Sequence, residues 1–118
     1  PFIDDMPSAC AAADLIVGRA GASSTAEIAM LGKPSILVPF PFATDNHQEA
    51  NARAFEAAGA ARVFLDPECT GERLADEVRQ LLNDANALAA MGRAAATLAR
   101  PGAAEAIVEE MLLLVFPE

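Results

Sequence analysis

Tryptophan and tyrosine are absent from the 118 residues, and histidine occurs once, at His47. A segment without Trp or Tyr lacks the usual side chains for stacking nucleic-acid bases or anchoring at a membrane interface. Basic residues are scarce as well. Eight Lys and Arg stand against 17 Asp and Glu, and a formal charge of -9 repels nucleic acid and anionic lipid over most of the surface. The two cysteines, Cys10 and Cys69, show neither CxxC spacing nor a histidine cluster, so a disulfide framework and a zinc site are not expected and a reducing cytoplasm fits. Asp4-Asp5 brings no third ligand, and no metal is expected. No signal peptide is visible, and the strongest apolar stretch, 111–116, is far shorter than the roughly 20 residues that span a bilayer, so the chain is expected to be soluble.

What is present is a chain with 53% hydrophobic residues, enough for one core and one domain over 1–118. The most informative stretch is Arg19-Ala20-Gly21-Ala22-Ser23-Ser24, between an apolar run at Leu15-Ile16-Val17 and a helical stretch carrying Glu27. Small residues at Ala20, Gly21 and Ala22 let backbone approach a ligand closely. The helix that follows directs N–H groups and the positive end of its dipole at the same point. This reads as a phosphate site. A second apolar run over 35–39 leads to Asp45-Asn46-His47-Gln48, which opens another helix, so two helix N-termini would build one side of a nucleotide pocket.

The pattern predicts a helix over 6–13, a strand over 15–17, a helix over 24–31, a strand over 36–38, a helix over 47–58 and a strand over 61–65. Gly32 and Gly59 mark helix ends, and Pro34 forbids continuation of the first long helix. Beyond Asp66-Pro67 the pattern predicts helices only, over 71–83, 85–99 and 102–116, with Thr70 as an N-cap and Leu74, Val78, Leu81 and Leu82 as one buried stripe; Ile107, Met111 and Leu114 form the stripe of the last helix. Alternation of strand and helix implies α/β architecture: a three-layer Rossmann-like unit with a parallel sheet of about three strands and a helical C-terminal end. Such a sheet is thin, and the opening Pro1-Phe2-Ile3 reads as a chain entered partway through a larger unit. An apolar sheet edge left exposed would pair with another copy.

Two readings stand for several polar residues. Ser24 and Glu27 form an S-x-x-E capping box, in which each side chain satisfies a backbone N–H; alternatively Glu27 accepts hydrogen bonds from a ribose diol. Asp45 and Gln48 repeat the capping spacing as D-x-x-Q. His47 suits an exposed first-turn position, a general base or a neutral ligand. Arg19 suits a surface ion pair or, beside the Gly turn, a diphosphate. A redox Rossmann domain is disfavoured, because no GxGxxG occurs.

Three stretches, Arg19 to Glu27, Gly32-Lys33-Pro34-Ser35-Ile36-Leu37-Val38-Pro39 and Asp45-Asn46-His47-Gln48-Glu49-Ala50-Asn51-Ala52, together with the opening Phe2-Ile3-Asp4-Asp5-Met6, resemble the donor-binding half of the MurG family. These are bacterial GT-B glycosyltransferases that convert lipid I to lipid II in peptidoglycan synthesis by inverting transfer of N-acetylglucosamine (GlcNAc). The resemblance implies a partial C-terminal UDP-sugar-binding domain. It places Phe2, Ile3 and Met6 at the uracil, Ala22, Ser23 and Ser24 at the diphosphate, Glu27 at the ribose hydroxyls, and His47 and Gln48 at the GlcNAc, with Arg19, Gly21 and Asn51 in the substrate-binding set. UDP-GlcNAc is then a substrate and no cofactor is implied. The catalytic base and the lipid-acceptor site would lie on an N-terminal domain, so the segment alone is expected to be inactive, and the intact protein peripheral on the cytoplasmic face of the inner membrane. Ser23 stands where an apolar residue is common in the family. Two other classes share these features: a GT-B enzyme with a small-molecule acceptor, and a sugar-nucleotide-binding subunit that acts with a separate partner.

Overall fold

The first parallel pair sets the architecture. β1 (Leu15–Gly18) pairs with β2 (Ser35–Leu37) in the register Ile16 to Ser35, Val17 to Ile36 and Gly18 to Leu37, in a computed structural model that describes residues 14–39, 47–65, 70–99 and 112–115. β2 pairs in turn with β3 (Ala61–Val63), also parallel. Parallel neighbours need crossovers, and these are α1 (Ala22–Leu31) and α2 (His47–Ala57). Two further helices follow, α3 (Gly71–Leu82) and α4 (Ala85–Ala96). The predicted helix over 6–13 lies outside the described residues.

Alternation along β1 sorts the core into two layers. Ile16 packs with Ile28 and Ala29 of α1 and with Ala52 and Phe55 of α2. Leu15 and Val17 face the other way, joining Ile36, Leu81 of α3 and Met91 of α4. Both sheet faces are therefore covered, as expected for parallel strands that read as continuous apolar runs. Ser35 is the exception in β2: its hydroxyl is fully buried and has no hydrogen-bond partner.

The helix boundaries follow from local chemistry. α1 ends at Gly32, whose φ of 64° is the left-handed conformation; the Lys33 N–H reaches back to the Ile28 carbonyl at 3.2 Å, and Pro34 then starts the extended run. Gly59, at φ 81°, follows α2 in the same conformation. Thr70 caps α3 as expected, its side chain accepting from the Arg73 N–H at 3.1 Å, and Asp84 caps α4 by accepting from the Ala87 N–H at 3.0 Å. Leu82, expected on the buried stripe of α3, is instead 40% exposed.

One element departs from expectation. Instead of the end of a helix over 102–116, residues Leu112–Val115 form β4, antiparallel to β1, giving the sheet order β3-β2-β1-β4. Among the described residues the sheet has four strands, and β1 lies between β2 and β4. The run Leu-Leu-Leu-Val carries no polar residue to set a helical period, and such a short apolar run fits a strand equally well. Ile107 and Met111 of the predicted stripe lie outside the described residues.

Close packing between Gly32 and α4 gives a test. A Cβ at Gly92 would lie 2.6 Å from the Gly32 carbonyl oxygen. In an open helix Gly→Ala gains up to about 1 kcal/mol; here the clash reverses the sign, and Gly92→Ala is expected to destabilise by about 1–3 kcal/mol in urea unfolding. Gly71→Ala, where an added Cβ meets nothing within 4 Å, is the control expected to be neutral or stabilising. Ser35→Ala, which removes a buried unpaired hydroxyl, is expected to leave the midpoint unchanged or raise it.

Candidate functional site: the mouth between β1 and α1

The Gly turn leaves β1 at the same sheet end where β2 finishes, because the two strands are parallel and in register. A bond beyond the strands keeps them level: the Val38 N–H donates to the Gly18 carbonyl at 2.9 Å. Arg19 reaches over the same join, its Nη1 lying 3.4 Å from the Val38 carbonyl oxygen and 3.5 Å from that of Pro39. The guanidinium is thus engaged with the chain leaving β2, an arrangement that spacing alone did not suggest.

Ala20 is fully buried in the core cluster, so both polar groups of its backbone need partners. Helix α2 supplies them. The Ala20 N–H donates to Gln48 Oε1 at 3.2 Å, and the Ala20 carbonyl accepts from Asn51 Nδ2 at 3.0 Å. Gln48 and Asn51 are three apart, hence on one side of α2. The expected D-x-x-Q cap involves Asp45, which lies outside the described residues; the oxygen of Gln48 is committed to Ala20. His47, the first residue of α2, is exposed.

The expected capping box at Ser24 does not form. α1 begins at Ala22, two residues before the expected start, with Gly21 as N-cap at φ -67° and ψ 158° and no side-chain cap bond. Ser24 and Glu27 lie inside the helix and both are buried. Thr25 secures the turn instead: its N–H and its hydroxyl both donate to the Gly21 carbonyl, each at 2.9 Å. The i,i+4 spacing of Gly21 and Thr25 was the available sequence signal, hidden by the more conspicuous S-x-x-E pattern.

These details give α1 an unusual N-terminus for so acidic a chain. α2 carries Glu49 and α3 carries Glu72 in the first turn, and α4 has Asp84 as its cap, whereas α1 has no acidic residue in its first turn and a glycine cap. First-turn N–H groups have no carbonyl partner within the helix, so the dipole end at Gly21 to Ser24 is chemically prepared for an anion. Ala22 is exposed and Ser23 partly so. One and a half turns further in, Glu27 is 8% exposed, and its carboxylate makes no hydrogen bond or ion pair among the described residues. A carboxylate so placed has acceptor capacity for hydroxyl donors. Alongside, a cavity of about 230 Å³ runs between α1 and α2, lined by Ala22, Thr25, Ala26, Asn51, Phe55 and others. Phe2, Ile3 and Met6 lie outside the described residues.

Residues 1–107 match the glycosyltransferase family 28 C-terminal domain. The chain belongs to this family. Among curated relatives named UDP-N-acetylglucosamine--N-acetylmuramyl-(pentapeptide) pyrophosphoryl-undecaprenol N-acetylglucosamine transferase, that of Solibacter usitatus is 55% identical over 105 residues, 89% of this chain and 28% of the relative. The one from Moorella thermoacetica is 52% identical over 115 residues, 98% of this chain and 31% of the relative. The crystal structure of Acinetobacter baumannii MurG matches with a TM-score of 0.77 at 38% identity, covering 87% of this chain and 29% of that one. The fold is that of the C-terminal domain of a GT-B glycosyltransferase. This family 28 chain spans about three tenths of the length of the curated relatives it matches.

Anion binding at the mouth can be separated from folding. Ala22→Asp places a carboxylate in the first turn of α1 at an exposed position. It is expected to raise helix stability by about 0.3–1 kcal/mol in urea unfolding while weakening the binding of pyrophosphate or UDP at least tenfold by calorimetric titration. Equal movement of both quantities in one direction would count against an anion site there.

Proposed function

We propose that this chain is the donor-binding part of an inverting N-acetylglucosaminyltransferase that takes UDP-GlcNAc and delivers GlcNAc to lipid I. The observation that carries the reading is the pairing of a helix N-terminus at Gly21 to Ser24, free of acidic residues and of a side-chain cap, with Glu27 on the same helix, 8% exposed and without a hydrogen bond or ion pair among the described residues. The names of the relatives supply the donor and the lipid-linked acceptor. In this reading the diphosphate lies on the N–H groups of Ala22, Ser23 and Ser24, the ribose diol donates to Glu27, and His47 and Gln48 address the sugar. Phe2, Ile3 and Met6 border the uracil.

The chemistry follows from that placement. The acceptor hydroxyl attacks the anomeric carbon from the face opposite UDP, the bond to the diphosphate oxygen breaks, and configuration inverts. Negative charge grows on the departing diphosphate. Backbone donors and the dipole of α1, already oriented, stabilise that charge without reorganising. The acceptor proton passes to a base outside this segment, so the segment binds donor without transferring sugar by itself. The nucleotide sugar is the substrate, and no cofactor is assigned. No described helix is long and apolar enough to cross a membrane, and a lipid-linked acceptor places the intact protein peripherally on the cytoplasmic face of the inner membrane.

The ribose contact gives the direct test. Glu27→Gln is expected to weaken UDP binding about 10- to 100-fold, as for a lost hydrogen bond to a charged group, while leaving the unfolding midpoint little changed, because the side chain makes no hydrogen bond or ion pair among the described residues. The wild-type protein should lose a similar factor on 2′-deoxy-UDP, and the variant should lose little more. Full additivity of the two changes would remove Glu27 from the ribose.

A further inference from the structure

Gln48 and Asn51 approach one residue, Ala20, from a helix that lies 28 and 31 residues further along the chain, and they take up both of its backbone polar groups. Ala20 is where the backbone turns from β1 into α1, one residue before the Gly21 cap. Gln48 holds the Arg19–Ala20 peptide at its N–H, Asn51 holds the Ala20–Gly21 peptide at its carbonyl, and Thr25 holds the Gly21–Ala22 peptide at its carbonyl, so none of the three planes rotates without breaking a bond. The direction of the next N–H groups, those of Gly21 and Ala22, is thereby fixed relative to α2. Arg19 on the Val38 and Pro39 carbonyls and Thr25 on the Gly21 carbonyl hold the residues on either side.

We propose that Gln48 and Asn51 are positioning residues, a clamp on the two peptides that flank Ala20, which presets the phosphate-facing backbone before any ligand arrives. The role is divided by chemistry: position 48 supplies an acceptor and position 51 a donor. The inference rests on the reading of Gly21 to Ser24 as the diphosphate site. It is distinct from the sugar contact proposed for Gln48, because a clamp acts on a donor that has no sugar.

The test uses the intact protein that carries this chain. Amide exchange without ligand reports the clamp, and titration with UDP and with UDP-GlcNAc reports its consequence. Gln48→Leu and Asn51→Asp, together with Asn51→Ala should Asn51→Asp fail to fold, are expected to speed exchange at the Ala20 amide about tenfold or more with the core amides of β1 unchanged. The Asn51 variants should weaken UDP and UDP-GlcNAc by the same factor, and Gln48→Leu, which also loses the proposed sugar contact, should weaken UDP by a similar factor and UDP-GlcNAc by at least as much. Gln48→Glu, which keeps an acceptor, should retain Ala20 protection without ligand. The proposal is overturned by unchanged Ala20 exchange in Gln48→Leu, by faster exchange with unaltered UDP affinity, or by a loss confined to UDP-GlcNAc, which would mean direct sugar contact. Should UDP fail to bind the unaltered protein, the diphosphate reading falls, and the positioning role falls with it. The exchange measurement then still reports whether the peptide is held.

Discussion

The level pairing of β1 with β2 is the constraint on which the rest of the site depends. Parallel strands cannot be joined by a hairpin, so each must be followed by a crossover, and consecutive crossovers start from the same end of the sheet. The N-termini of α1 and α2 consequently open side by side. The Val38 N–H to Gly18 carbonyl bond carries the ladder one step past the strands, so the two exit loops separate only after they have been placed together. A slip of one residue in this register would exchange Ile16 with Leu15 and Val17 between the two core layers and move the Gly turn away from α2.

From that placement the small residues of the turn acquire a structural reason. Ala20 fills a position with no access to solvent, where a longer side chain would push α1 away from α2. Burial of its peptide creates the need for Gln48 and Asn51, since an unpaired buried N–H or carbonyl costs about 1–3 kcal/mol. The helix that follows forgoes the cap that α3 and α4 possess. A glycine cap in place of Ser, Thr, Asn or Asp costs roughly a few tenths of a kcal/mol, and holding Glu27 at 8% exposure with no hydrogen bond among the described residues adds to it. Two local departures from good helix design on one helix, at one end of the sheet, are what a binding site requires and a scaffold does not.

Much of this was legible in the residues. Gly32 followed by Pro34 marked the end of α1, Thr70 marked the start of α3, and alternating apolar runs and helical stretches fixed the parallel sheet. The Gly turn was found because glycine and alanine beside a helix start have few other uses. The start of α1 was misplaced because Ser24 and Glu27 satisfy the spacing of a capping box, and spacing does not reveal that both side chains turn inward. Leu112–Val115 was read as helix because a short run of uniform apolar residues carries no period. The bonds from Gln48 and Asn51 to Ala20 were out of reach for a different reason: they join residues far apart in sequence, and only the crossover geometry brings them within 3.2 Å and 3.0 Å.

The charge distribution carries the argument one step further. Arg53 lies 2.8 Å from Glu56, and Arg62 lies 3.4 Å from Glu77, so these cations are matched locally by acids on the surface. Exposed pairs of this kind contribute little to stability, but they also leave little positive field to draw an anion from a distance. On the reading proposed above, with an overall charge of -9, attraction to the diphosphate comes from the first turn of α1 itself, where a dipole acts over only a few ångströms. Affinity on that reading depends on the direction of a few N–H groups more than on net charge. Gln48, Asn51 and Thr25 hold the backbone of Ala20 and Gly21, and Arg19 holds the Val38 and Pro39 carbonyls across the same join, which keeps those N–H groups in place.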